Sequence, residues 1–140
     1  MTAQRSAFSY FLPLFGIGAL HAISFAPGPV PLHFLPFVQL ITLACLAFYS
    51  FKAARASQFV WGAFGFGLAN FGVGIYWLHI SMHQYGGMPF LLAAVAVVLF
   101  AGLMALYYVV AIALARFFTP HAHGAWQQQL AAAAIWASAW

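Results

Sequence analysis

Four long apolar stretches constrain the fold of this chain more than any other feature. They lie at about residues 7–25, 30–51, 58–82 and 88–118, and short segments with prolines, glycines or charges separate them. A helix needs about 20 apolar residues to cross the hydrocarbon core of a bilayer, and each stretch is about that long or longer. The pattern therefore predicts an all-α integral membrane protein, a multi-span bundle with four full transmembrane helices. A fifth apolar run at 126–140 is expected to be the truncated start of another span, so we expect a fragment of a longer protein.

The composition excludes most soluble and enzymatic classes. Only 3% of the 140 residues are charged and 66% are hydrophobic, whereas soluble domains carry about 25% charged residues. Because the chain has no Asp or Glu, it cannot supply a carboxylate pair, a Ser-His-Asp triad or a calcium loop. The few Lys and Arg residues are scattered, which does not fit nucleic-acid binding.

The cations predict how the chain lies in the membrane. With four spans, Arg5, Lys52, Arg55 and Arg116 all fall on one side. Lys and Arg in short loops stay cytoplasmic, so the N-terminus is expected in the cytoplasm. A signal peptide is a weaker interpretation of the first stretch, because its apolar run is long and another span follows at once.

The third stretch carries small residues along one helix face. Gly62, Gly65, Ala69 and Gly72 are spaced by three, four and three residues, which favours close helix packing over a substrate groove. Asn70 lies beside this face. A buried amide in lipid needs a partner, so we expect Asn70 to hydrogen-bond to another helix.

Two kinds of reactive side chain allow alternative hypotheses. His79 and His83, four residues apart, could hold a metal or, with His21, a haem. We favour interfacial histidines within an aromatic belt, because metal sites usually recruit further ligands and a carboxylate second shell. Cys45 has only apolar neighbours and is expected to be an inert small hydrophobe. The expectation is therefore no catalytic residue, no cofactor and no metal.

The third stretch and its exit loop carry an ordered set of glycine, aromatic, serine and proline residues: Gly74, Trp77, Ser81, Gly86, Gly87 and Pro89. This order and spacing resembles the N-terminal transmembrane region of bacterial apolipoprotein N-acyltransferases. The resemblance extends over essentially all 140 residues, but only the part from Gly65 to Pro89 is specific. It implies one N-terminal transmembrane domain over 1–140.

The resemblance also implies a function. Enzymes of this family lie in the bacterial inner membrane and transfer an acyl chain from a phospholipid to the α-amino group of the diacylglyceryl-cysteine of an apolipoprotein. Their nucleophile belongs to a Glu-Lys-Cys set in a nitrilase-like domain outside the cytoplasm. None of that set maps here, because there is no Glu, Lys52 lies in a cytoplasmic turn, and Cys45 lies inside the second stretch.

We therefore expect a membrane-anchoring part that is inactive by itself and forms part of the wall along which acyl chains enter. Two alternatives belong to other classes. One is a small structural or transporter-type membrane protein, and the other is a membrane protein that binds haem or metal through histidines.

Overall fold

A computed structural model of the chain describes residues 8–25, 34–53 and 55–118. Arg5, the first turn at 26–33 and the fifth apolar run at 126–140 lie outside the described residues. Every regular element in the described part is helical, which confirms the all-α prediction for these residues. The helices are α1 (Phe8–Ile23), α2 (Leu35–Lys52), α3 (Ala56–Gly74), α4 (Tyr76–Ile80) and α5 (Phe90–Phe118).

The helices coincide with the four apolar stretches but differ in length. Among the described residues, α5 is the one helix that is by itself long and apolar enough to cross a bilayer. Helix α1 has 16 residues, a rise of about 24 Å against about 30 Å of hydrocarbon. Four helical stretches are thus present, whereas four full spans remain a proposal.

The third stretch is not the single helix that we predicted over 58–82. Helix α3 ends at Gly74, and the segment from Tyr76 to Tyr85 continues at an angle of 52°. Ile75 lies at the break with φ −101° and ψ 12°, outside the helical region. Gly72 and Gly74 precede the break, and glycine is a weak helix former, so the backbone can bend there at low cost.

Helix α3 is the centre of the bundle. It packs most extensively against α1, then against α5, while α2 contacts both α1 and α3. The buried cluster draws on all four long helices: Leu14, Leu46, Ala63, Phe66, Tyr108 and Ile112. Small side chains fill the remaining contacts, and many large apolar ones point outward, including Leu12, Phe37, Leu40, Leu91, Leu99 and Phe117. This distribution is typical of a helix bundle in lipid.

The small-residue face of α3 forms a seam with α1. A Cβ atom on Gly62 would lie 2.6 Å from Leu14 Cδ1, and one on Gly65 would lie 2.8 Å from Phe11 Cδ2. Ala69 is buried as well. The packing prediction is confirmed for Gly62 and Gly65 and wrong for Gly72, where a Cβ atom would meet nothing within 4 Å.

Asn70 links α3 to α5 as expected. Its Nδ2 donates to the hydroxyl oxygen of Tyr108 over 3.1 Å, and Tyr108 is almost fully buried.

Replacing Asn70 with leucine, or Tyr108 with phenylalanine, should lower the free energy of unfolding by about 0.6 to 1.7 kcal/mol, the range for such bonds in membranes. Unfolding in mixed SDS micelles measures both variants and the double variant. The double variant should cost less than the sum, and strictly additive costs would contradict the bond.

The described cations gather at one end of the bundle. Arg116, near the end of α5, donates from Nη1 to the carbonyl oxygens of Ser50 at 2.6 Å and Ala53 at 3.1 Å. Its guanidinium lies 4.8 Å from the ring centroid of Phe59. Lys52 ends α2 and Arg55 is the N-cap of α3, so both lie at the same end of the bundle. Helix α4 and its exit loop lie at the other end of α3.

Candidate functional site

An apolar groove runs between α3 and α5 on the side of the bend. We call it the α3–α5 groove, and its volume is about 440 Å³. That size falls within the range of about 300 to 1,000 Å³ of ligand sites. Its lining residues come from four helices: Phe15, Leu68, Ala69, Gly72, Val73, Tyr76, His79, Phe90, Ala94, Val97, Val98 and Ala101.

Local sequence explains why the groove exists. Gly72 has no side chain to fill the space between the helices, and α5 presents the small residues Ala94 and Ala101 to it. The bend at Ile75 then carries Tyr76 and His79 across the end of the groove. Sequence reasoning missed this site because it assigned Gly72 to helix packing. The signal that could have revealed it is a second glycine, Gly74, that breaks the helix immediately afterwards.

His79 is the polar side chain in the groove with an unusual environment. Its Nε2 atom is buried and has no hydrogen-bond partner within the part of the chain that the structure describes. Its ring packs edge-to-face on Phe90, with 4.6 Å between the ring centroids. The rings of Tyr76 and His83 stack on either side at 6.4 and 6.3 Å.

The three histidines do not converge on one centre. His83 uses Nδ1 to contact the carbonyl oxygen of Met88 at 2.8 Å. His21 is buried against Thr42, with 2.7 Å between its Nδ1 and Thr42 Oγ1. Over residues 8–25, 34–53 and 55–118, no three His, Cys, Asp or Glu side chains are grouped as metal ligands.

The His21 contact has a structural role that the sequence did not reveal. The Thr42 hydroxyl lies 2.9 Å from the carbonyl oxygens of both Val38 and Gln39 in its own helix. A hydroxyl has one proton, so when Thr42 donates it to a carbonyl oxygen of its own helix, Thr42 accepts from His21 Nδ1. The ring also packs against Phe66, at 5.4 Å between centroids. His21 thus joins α1 to α2 and α3.

The exit loop of α4 is a tightly bonded turn. A π-helical turn, Ser81–Tyr85, follows α4, and the N–H of Gly86 donates to the Ser81 carbonyl at 3.1 Å. The N–H of Met88 donates to the Met82 carbonyl at 3.1 Å, and Gly87 between them has φ +65°. Such turns commonly end helices with glycine in the left-handed region. π turns are frequent at functional sites.

Exposed aromatic rings surround this end of the molecule. Trp77 and Tyr76 are each about three-fifths exposed, at 62% and 61%, and Tyr85 is 87% exposed. Amphipathic rings of this kind favour the boundary between hydrocarbon and head groups. Cys45, by contrast, lies partly buried within α2 and does not line the groove.

Residues 17–139 match the model of the apolipoprotein N-acyltransferase N-terminal domain. The chain belongs to this family. It is 39% identical to apolipoprotein N-acyltransferase of Bordetella bronchiseptica over 128 residues, which cover 88% of this chain and 23% of that protein. It is 41% identical to the Ralstonia nicotianae enzyme of the same name over 91 residues, or 65% of this chain and 16% of the relative. No solved structure matches the chain.

The family match confirms the resemblance drawn from residues 65–89. In the structure these residues form the second half of α3, the bend, α4, the π turn and the glycine loop. The chain spans about a quarter of the length of the Bordetella relatives that it matches, at 23% to 24%. The catalytic activity of the full-length relatives is therefore a proposal for this chain.

Gly87 should be sensitive to side-chain shape because of its backbone angle. Valine at φ +65° is strained by about 1 to 2 kcal/mol or more, whereas asparagine tolerates this region. We expect Gly87→Val to lower the thermal stability of the protein by an amount that reflects this strain, and Gly87→Asn to be close to wild type. Thermal unfolding of both variants in detergent tests this. Equal losses in the two variants would contradict a role for the angle.

Proposed function

We propose that this chain is the membrane-anchoring part of an apolipoprotein N-acyltransferase. In the complete enzyme an acyl chain passes from a phospholipid to the N-terminal α-amino group of diacylglyceryl-cysteine during lipoprotein maturation. The observation that carries the proposal is the family match over residues 17–139. The α3–α5 groove, at the end of the bundle away from the cations, supports a role in admitting lipid acyl chains.

The catalytic step itself requires groups that these 140 residues do not supply. A thioester cycle needs a thiolate, a proton acceptor and stabilising charge. The chain has no carboxylate, Cys45 lies within α2, and Lys52 lies at the end of the bundle away from the groove. We therefore propose that a Glu-Lys-Cys set in a separate nitrilase-like domain performs the chemistry, and that residues 1–140 alone are inactive.

Reading the gene beyond codon 140 tests this division directly. We expect a long soluble domain that contains Glu, Lys and Cys in that order. A stop codon shortly after Trp140, or a continuation with further membrane helices alone, would favour a structural or transporter-type protein.

The proposed location is the bacterial inner membrane, with the N-terminus in the cytoplasm and spans at 7–25, 30–51, 58–82 and 88–118. The clustering of Lys52, Arg55 and Arg116 at one end supports this orientation, because Lys and Arg in short loops stay on the cytoplasmic side. The aromatic ring set at the opposite end fits an outer interface.

Single cysteines in a Cys45→Ala background test the orientation. Cysteine at Gly86 should react with a membrane-impermeant maleimide in intact spheroplasts, and cysteine at Ser57 only after the membrane is opened. The reverse labelling would overturn the topology.

The Cys45→Ala variant of the complete enzyme should transfer acyl chains as well as wild type. Loss of the acyl-enzyme intermediate in this variant, at normal protein levels, would show that Cys45 takes part in catalysis and would contradict the proposal.

A further inference from the structure

One end of the bundle carries positive charge that no side chain of these 140 residues neutralises. Lys52, Arg55 and Arg116 lie there, and we call the three residues the basic end. The sequence contains no Asp or Glu. The C-termini of α2 and α5 contribute about half a negative charge each, and the N-terminus of α3 about half a positive one, so the basic end keeps a net charge of about +2.5. Such a surface attracts an anion.

Arg116 is fixed in a position that leaves one edge of its guanidinium free. Its Nη1 donates to the carbonyl oxygens of Ser50 and Ala53, which lie at the end of α2, where helix carbonyls lack partners in their own helix. The ring of Phe59 packs against the guanidinium. Nε and Nη2 have no partner among the described residues, and they are not enclosed, because the fully buried, unpartnered side-chain atoms of that part of the chain belong to Ser50 and His79.

The basic end lies at the level of lipid head groups. Arg116 follows Phe90 by 26 positions in one continuous helix, a rise of about 39 Å against about 30 Å of hydrocarbon. The ammonium of Lys52 lies 5.3 Å from the ring centroid of Phe48, which is 48% exposed on the outer surface of the bundle. Lys52 therefore places its charge beside a ring that faces lipid, and a lipid can reach both.

The donors that remain on Arg116 match a phosphate group. Nε and Nη2 form one edge of a planar fork, and two oxygens of a phosphodiester accept from such an edge in parallel. The absence of carboxylates adds selectivity among lipids. A head group with an amine, such as phosphatidylethanolamine, would bring its ammonium against cations and find no acidic side chain here. A head group without an amine has no such cost.

We propose that the basic end binds the phosphate of an anionic phospholipid of the phosphatidylglycerol class, in the leaflet on that side of the membrane. Arg116 donates from Nε and Nη2 to two phosphate oxygens, and the charges of Lys52 and Arg55 add to the attraction. This lipid is not the acyl donor, because it lies at the end of the bundle away from the α3–α5 groove. By bridging Arg116 of α5 and Lys52 of α2, it ties two helix ends together at the membrane surface.

Photocrosslinking in vesicles tests the site and its selectivity. The complete enzyme is reconstituted in phosphatidylcholine vesicles with a trace of phosphatidylglycerol that carries a diazirine next to its glycerol backbone, and the crosslinked peptides are mapped. We expect a crosslink within residues 48–59 or 113–118. Unlabelled phosphatidylglycerol should compete for it at least about five-fold better than phosphatidylethanolamine, the factor for about 1 kcal/mol from one lipid charge at a basic surface.

Matched variants identify the groups that bind. Lys52→Gln should raise the half-saturating mole fraction of the probe about five-fold, whereas Lys52→Arg keeps the charge and should stay near wild type. Arg116→Lys keeps the charge but loses the planar fork, so it should also weaken binding. Because Arg116 holds the end of α2, thermal unfolding is measured on the same samples. If Arg116→Lys unfolds, the two Lys52 variants still decide the question, since the Lys52 side chain is exposed.

Three results would overturn the proposal. One is equal binding by Lys52→Gln and Lys52→Arg, which would remove the role of charge. Another is competition by phosphatidylethanolamine as effective as that by phosphatidylglycerol, or a crosslink at that end of the bundle that is absent. The third is displacement of the probe by millimolar glycerol 3-phosphate, which would assign the basic end to a soluble anion and not to a lipid.

Discussion

Replacing Gly18 with alanine should destabilise the protein by about 1 to 3 kcal/mol or more, the typical cost of overpacking a tight contact. Gly18 lies in α1 where that helix crosses α3. A Cβ atom there would press on the carbonyl oxygen of Phe66, and the carbonyl carbon of Phe66 would lie 2.9 Å away. Both atoms belong to the backbone of the central helix, so neither can rotate aside as a side chain would. The two helices would have to separate.

Gly16 provides a matched control in the same helix. A Cβ atom at Gly16 would meet nothing within 4 Å. Gly16→Ala should therefore be neutral or stabilising by up to about 1 kcal/mol, because alanine is the better helix former. Thermal unfolding of both variants in detergent measures the difference. Similar unfolding temperatures for the two variants would show that α1 and α3 do not cross at Gly18.

The sequence predicted those features of the fold that follow from an apolar lipid environment and do not depend on one particular neighbouring residue. Apolar length and loop composition decide which segments become helices in lipid, so the helix positions followed from the sequence. Small residues at helical spacing predicted the contact surface of Gly62 and Gly65, because lipid offers no hydrophobic drive and close approach must be steric. Asn70 followed from the cost of a buried amide, although the sequence could not name Tyr108 as its partner.

Features that depend on a particular neighbour were not predictable in the same way. Gly18 is as important as Gly62 in the structure, but nothing near it in sequence marks it, since its contact is with a backbone 48 positions away in the chain. The hydrogen bond between His21 and Thr42 also joins residues that are far apart in the sequence. The bend at Ile75 was missed because hydrophobicity continues through it, and only the local backbone angles end the helix there.

The site shows the same limit most clearly at Gly72. Sequence periodicity placed it on the face of Gly62, Gly65 and Ala69, whereas α1 does not extend its contact that far and the space remains open as the groove. Periodicity identifies a face but not where the neighbouring helix stops. His79 lies at the end of α3 away from the described cations, and its buried nitrogen, which has no partner among the described residues, became visible only with the packing of Phe90.

Replacing Gly72 with leucine should leave the fold intact and strongly reduce acyl transfer by the complete enzyme. The new side chain meets no neighbour within 4 Å of its Cβ atom, and its remaining carbons would extend into the α3–α5 groove that Gly72 lines. An acyl chain would then have to share the groove with it. If overpacking of about 1 to 3 kcal/mol falls on the bound lipid, binding weakens roughly 5- to 150-fold.

The comparison that decides this is Gly65→Leu. A Cβ atom at Gly65 would lie 3.0 Å from the backbone oxygen of Phe11 as well as against its ring, so leucine there should lower the free energy of unfolding by about 1 to 3 kcal/mol. Detergent-resistant folding and acyl transfer are measured on both variants. Gly72→Leu should fold as well as wild type and fail in transfer, while Gly65→Leu should lose stability first. If Gly72→Leu transfers acyl chains normally, the groove does not hold the donor lipid, and if it unfolds, the space beside Gly72 belongs to a helix contact after all.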